Sequence, residues 1–97
     1  MKKRGFVYIV TNRPFGTLYI GVTSTLVQRT GQHKFKLIDG FSKKHHLSIL
    51  VYYEVHETIE AAILREKQMK KWNRNWKLRQ IIEMNPEWRD LYDEITQ

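Results

Sequence analysis

The chain has 97 residues, enough for one domain, and its 41% hydrophobic and 12% aromatic content suffices to fill one modest core. Seventeen Lys and Arg against ten Asp and Glu leave a net charge of +7, which favours a polyanionic partner. With no cysteine there is no disulfide framework, thiolate zinc site or cysteine nucleophile, and no apolar run reaches the ~18–20 residues that span a bilayer.

The basic start Met1-Lys2-Lys3-Arg4 precedes a short stretch broken by Arg13, without a small-residue cleavage site, so a soluble cytoplasmic protein is expected. Phe6 to Thr11, apolar and rich in β-branched and aromatic residues, reads as a buried strand. The turn Asn12-Arg13-Pro14-Phe15-Gly16 and a second strand from Thr17 to Val22 complete a hairpin. Thr23-Ser24-Thr25 offers N-cap residues for a helix from about Thr25 to Leu37, with Leu26, Thr30, His33 and Leu37 along one side. Gly31 within it costs about 1 kcal/mol relative to Ala and suits a close approach. Asp39 to Lys44 reads as a loop.

Leu47 to Val55 forms a third strand, with Ile49, Val51, Tyr53 and Val55 on one face and Leu50 and Tyr52 on the other. Thr58 caps a long helix to about Trp72, and another covers about Asn75 to Met84. Asn85-Pro86-Glu87 is a helix restart signal, after which Trp88, Leu91, Tyr92 and Ile95 follow at helical spacing. The expectation is one α/β domain over residues 1–97, a small three-stranded sheet flanked by helices in the order ββαβααα.

The positive charge is clustered. Lys34, Lys36, Lys43, Lys44, Lys67, Lys70, Lys71 and Arg74 lie in three basic tracts with interleaved aromatic residues, as in surfaces that grip phosphate and stack bases. Glu83, Glu87, Asp90, Asp93 and Glu94 gather at the C-terminal end, which is expected to turn away from the basic face. An anionic membrane is the weaker partner, because no stretch combines a wide apolar face with a basic one. Basicity serving solubility alone is the bland alternative.

Among possible chemical groups, Glu66 is the most informative. At about 100° per residue Ile59, Ala62, Ile63 and Met69 form an apolar stripe, and Glu66 falls inside it. A carboxylate there must be paired, protonated or bound to a cation. An ion pair with Arg29 or Lys70 would satisfy it. So would a single-carboxylate seat for Mg²⁺, which keeps its waters and takes other oxygens from a phosphate. Arg29 and His33, four apart on the first helix, could offer a fork to phosphate and a proton relay, although such residues are more often solvated or packed. Tyr8 and Tyr19 on adjacent strands are usually packing, and a phenol becomes a plausible base only beside a cation. Gly21, on the face of Tyr19, leaves room for a phosphate to approach. There is no Gly-rich phosphate loop, His-Glu-x-x-His motif or nucleophile elbow, and His45-His46 reads as basic surface.

Together these residues match a recognisable pattern. Val7-Tyr8, an eleven-residue step, then Tyr19-Ile20-Gly21 resembles the paired signature of the GIY-YIG nuclease superfamily. Val22 to Arg29 with His33 looks like that family's helix, and Glu66 within Arg65-Glu66-Lys67-Gln68-Met69-Lys70-Lys71-Trp72 like its metal-binding glutamate. The ending Asn85-Pro86-Glu87-Trp88-Arg89-Asp90-Leu91 is similar to that of small stand-alone bacterial members, which are related to the N-terminal nuclease module of the bacterial ABC excinuclease. The resemblance implies Mg²⁺-dependent (or Mn²⁺-dependent) cleavage of DNA phosphodiester bonds. Tyr19 would be the general base, Tyr8 would orient nucleophile or phosphate, and Arg29 would stabilise phosphoryl charge. His33 would assist proton transfer and Glu66 would hold the metal. Phe6 stands where the first signature usually has Gly, and Val22 where some relatives place a Lys. Relatives often carry an Asn after the glutamate, and Asn73 and Asn75 lie nearby. With no chain for a separate recognition domain, specificity would come from DNA structure, from a protein partner, or be absent altogether, and a monomer is the default. The alternative on the same scaffold is a nucleic-acid-binding module with little or no activity. A protein-interaction adaptor is a third class.

Overall fold

The structure, a computed structural model, describes residues 3–37 and 40–97. The three apolar runs form strands β1 (Gly5–Thr11), β2 (Leu18–Thr23) and β3 (Ile49–His56). They pair antiparallel in the order β2-β1-β3, so β1 is central. Helices α1 (Leu26–Lys34), α2 (Phe41–Lys44), α3 (Ile59–Lys70), α4 (Arg74–Met84) and α5 (Tyr92–Ile95) complete the chain. The expected order ββαβααα holds, with the four-residue α2 added where a loop was expected. Asp39, where that loop was to begin, lies outside the described residues, as do Met1 and Lys2.

Side chains alternate across β1 and build a core on each face. Val7 and Ile9 join Ile20, Ala62, Met69 and Ile81 under α3 and α4, while Tyr8 and Val10 join Leu26, Leu47 and Leu91 under α1 and the C-terminal segment. The alternation expected in β3 fails at one place. Ile9 pairs with Tyr52 and Val10 with Leu50, which leaves Val51 as the extra residue of a β-bulge. Val51 and Tyr52 therefore enter the same core, and Tyr53, expected beside Val51, belongs to the other. Gly5 sets how closely α3 crosses the sheet, since a Cβ there would lie 2.6 Å from Ala62 Cβ and 2.8 Å from Ile59 Cα. Thr58 caps α3 by accepting from the Ala61 amide, and Asn73 caps α4 by accepting from that of Trp76.

Two helices end differently from expectation. α1 stops at Lys34 because Lys36 turns left-handed (φ 56°), and the Lys36 and Leu37 amides donate to the His33 and Gln32 carbonyls, the two bonds of a Schellman motif. Leu37, expected on the packed side, is exposed. Nor does a helix restart at Asn85. Trp88 takes φ 57°, and only Tyr92–Ile95 is helical. Instead Asn85 is buried, its amide donating to the Val51 and Arg89 carbonyls and its oxygen accepting from the Arg89 amide. Leu91 N donates to Leu50 O, and Leu50 N to Asp90 Oδ1. The C-terminal segment thus covers the outer edge of β3, which would otherwise invite pairing with another chain. It does not turn away from the basic residues, because Asp90 also pairs with Lys34 on α1 at 2.5 Å.

Candidate active site

Tyr8 and Tyr19 project to the same face of the sheet because Tyr8 pairs with Gly21, two residues along β2 from Tyr19. α1 packs on that face and lays His33 between them. The imidazole centroid is 5.4 Å from the Tyr8 ring and 5.5 Å from the Tyr19 ring, and its Nε2 is 2.8 Å from the Tyr8 hydroxyl. The Tyr8 phenol also covers Gly21, where a Cβ would fall 2.4 Å from the hydroxyl. The space expected there for a phosphate is occupied by that phenol. Gly31 does permit a close approach, that of the Tyr92 hydroxyl.

Burial divides the set. Tyr8 (1% exposed) and His33 (4%) are enclosed, Tyr19 and Glu66 are half-buried, and Arg29 is exposed, one turn before His33. Burial pushes the Tyr8 phenol well above its ordinary value. The neighbouring Tyr19 and Glu66 add to that rise, and the Arg29 guanidinium opposes it without reversing it. Burial, with Arg29 beside it, lowers His33 to about 4. Both groups are neutral near pH 7. Tyr8 therefore remains a phenol, and Arg29 and Glu66 both lie within electrostatic reach of it.

On α3 the expected stripe is narrower than periodicity suggested. Ala62 and Met69 are buried, whereas Ile63 is 38% exposed. Glu66 lies between the two buried residues with its side chain 14% exposed. It is paired with Lys70 at 3.5 Å, one of the two partners anticipated for it. Among the described residues no three His, Cys, Asp or Glu side chains converge as a cation cage, so a dication at Glu66 would draw its remaining oxygens from water and substrate. A cavity of about 510 Å³ is lined by Phe6, Leu26, Tyr53 and Ile95 with the first turn of α1, and none of the five candidate catalytic residues lines it.

The basic residues also fall into groups. Lys36, Lys43, Lys44, Lys67, Lys70 and Lys71 are exposed. Lys34 is held by Asp90 and lies 5.4 Å from the Tyr92 ring centroid. Arg74 donates to the carbonyls of Phe15 (2.6 Å) and Gly16 (2.7 Å) and so fastens the β1–β2 turn. Of the two asparagines near Glu66, Asn73 is engaged as the α4 cap. Sequence reasoning read Asn85 as a helix cap and Asp90 as part of an acidic end, missing partners that are distant in sequence, and gave no role to the pair Trp72 and Trp76, whose spacing of four beside Lys70 and Lys71 was the available signal.

No curated protein and no solved structure gives a significant match. The family model described as the GIY-YIG catalytic domain matches residues 4–90, from the start of the sheet to Asp90 on its far edge. The match spans nearly the whole chain and both strands of the tyrosine signature, so the chain belongs to the GIY-YIG family, whose fold is of the nuclease type.

Proposed function

We propose that the protein is a divalent-metal-dependent endonuclease that hydrolyses phosphodiester bonds in DNA. The reading is carried by the convergence on one phenol: His33 bonded to Tyr8, Tyr19 against the same imidazole, and Arg29 and Glu66 both acting on Tyr8 electrostatically. A purely structural tyrosine pair would need neither an exposed guanidinium nor a carboxylate beside it.

Glu66 would hold Mg²⁺ or Mn²⁺. The residue fits, since a lone carboxylate suits a hard cation that retains waters, and its partner Lys70 is half-exposed and distant enough at 3.5 Å to release it at little cost. Once bound, such a cation neutralises charge on the phosphate and makes coordinated water more acidic. The protein's own groups do the rest. Arg29 presents its planar fork to the non-bridging oxygens, where negative charge accumulates. Tyr19 would relay the proton of the attacking water, taking it on its hydroxyl oxygen as its own hydroxyl hydrogen passes to solvent. Tyr8 and His33, enclosed beneath, fix the position of the Tyr19 ring. The exposed lysines Lys36, Lys43, Lys44, Lys67, Lys70 and Lys71 gather the DNA backbone. Lys34 and Arg74 contribute less, being committed internally.

The test is cleavage of fluorescently labelled duplex, nicked and branched DNA with added Mg²⁺ or Mn²⁺. Glu66→Gln keeps the shape of the side chain and removes its charge, and is expected to slow cleavage by on the order of a hundredfold or more while DNA affinity stays close to wild type. Equal cleavage by the two proteins would remove this mechanism, and no cleavage by either would leave a nucleic-acid-binding module.

A further inference from the structure

The corner between α3 and α4 holds an aromatic recess that the hydrolytic site does not use. Trp72 follows α3 and Trp76 lies in the first turn of α4, with ring centroids 6.0 Å apart and planes at 72°. Trp72 has one face covered by the Arg65 guanidinium, 4.9 Å from its centroid, and that charge is met by Glu54 at 2.9 Å. Trp76 is 51% exposed. The two indoles, Arg79 and Gln80 line a recess of about 270 Å³. Gln80 Oε1 lies 3.4 Å from the Tyr52 hydroxyl, whose single hydrogen goes to Glu54, and the Gln80 amide brings both donor and acceptor atoms to the recess.

We propose that this recess takes one unpaired nucleobase of a DNA strand, stacked on Trp76 and hydrogen-bonded by Arg79 and Gln80, and so selects substrates with a single-stranded segment. The inference rests on the nucleic-acid reading above and narrows its substrate class. A flat exposed indole offers a stacking face to any base, while a guanidinium and an amide donate to base carbonyl and ring-nitrogen acceptors. The exposed cations Lys70 and Lys71 beside Trp72 suit the connecting phosphates and disfavour an apolar protein partner.

The test is equilibrium binding in EDTA of a thymidine oligonucleotide of about 20 nucleotides, a duplex of equal length and heparin, with intrinsic tryptophan fluorescence recorded alongside. Trp76→Ala is expected to weaken single-strand binding by about tenfold or more and to lose most of the fluorescence quenching, with duplex and heparin affinities within about twofold of wild type. Trp76→Phe retains a ring and is expected to recover most of the loss, and Arg79→Ala to show a smaller, single-strand-selective loss. Unchanged single-strand affinity in Trp76→Ala overturns the proposal. So do equal losses on single strand and duplex, or a matching loss on heparin, which would mark a site for acidic partners in general. Since no cleavage is measured, the two readings fail separately: a protein that binds through Trp76 but ignores Glu66→Gln loses only the nuclease mechanism, and the converse pattern loses only the recess.

Discussion

Tyr8 is so enclosed that its hydroxyl hydrogen must find a protein acceptor, and His33 Nε2 is the partner in place at 2.8 Å. An acceptor Nε2 carries no proton, which agrees with a His33 lowered to about 4 and fixes the ring proton on Nδ1. The same shift bears on stability. Unfolded, the imidazole binds a proton near pH 6.5; folded, it resists until about pH 4, so between those values the unfolded state holds more protons. The stability due to His33 is thus complete above pH 6.5 and is lost as pH falls through that window, by on the order of 3 kcal/mol at most. Glu54, which burial alone would raise, is held low because its bonds from Tyr52, His56 and Arg65 together outweigh that burial, and it adds acid sensitivity only below the ordinary carboxylate range. Urea denaturation is expected to show falling stability from pH 7 to pH 5, with His33 ring resonances untitrated across that span. A His33 titrating near 6.5 would contradict this account. Tyr8, Tyr19, Arg29, His33 and Glu66 could all be picked from the chain because strand alternation and helical spacing are local rules. The burial of Tyr8 follows from the buried strand read at Phe6 to Thr11; that His33 meets its hydroxyl was not legible, since it depends on how α1 packs on the sheet, a long-range choice.

The elements themselves followed from periodicity and capping wherever their partners were near in sequence, as at Thr58 and the hairpin. They failed where a distant partner decided the outcome. Asn85 is the clearest case: Asn-Pro-Glu is sound N-cap chemistry, yet the side chain is drawn into the sheet edge, where Val51 O is left without a strand neighbour beside the bulge. Asn can donate two hydrogens and accept at its oxygen, and all three capacities are used here. Asn85→Ala would leave the carbonyls of Val51 and Arg89 and the amide of Arg89 short of a partner at a 2% exposed position. The expected cost is about 3 kcal/mol, visible as a lower Tm and as faster amide exchange along β3 before β2. A loss below about 0.5 kcal/mol would show that water substitutes for the amide and that the C-terminal segment holds the edge without it. The bulge explains the misassigned faces of Tyr52 and Tyr53 in the same terms. One inserted residue reverses every later side chain, and apolar residues on both faces hide the reversal.

For the whole molecule, a net charge of +7 says that an anion is welcome but not where it sits. The structure subtracts from the sequence total by engaging particular cations: Lys34 with Asp90, Arg65 with Glu54, and Arg74 with two turn carbonyls. A cation already paired has fewer counterion-releasing contacts to offer a phosphate, whereas Lys67 and Lys71 extend from the end of α3 into solvent. Each lysine that meets a duplex phosphate adds about 0.9 to the slope of log affinity against log salt. Binding of a short duplex in EDTA, followed from about 50 to 200 mM salt, separates the two groups. Lys67→Ala and Lys71→Ala are each expected to reduce the slope by about 0.9, and Lys34→Ala and Arg74→Ala to leave it unchanged while lowering thermal stability. If Lys34→Ala matched Lys71→Ala, the Lys34–Asp90 pair would have to open when DNA binds. The C-terminal segment, which shares Asp90 with the β3 edge through the Leu50 amide, would then move with it, and hydrogen exchange at Leu50 would rise in the complex.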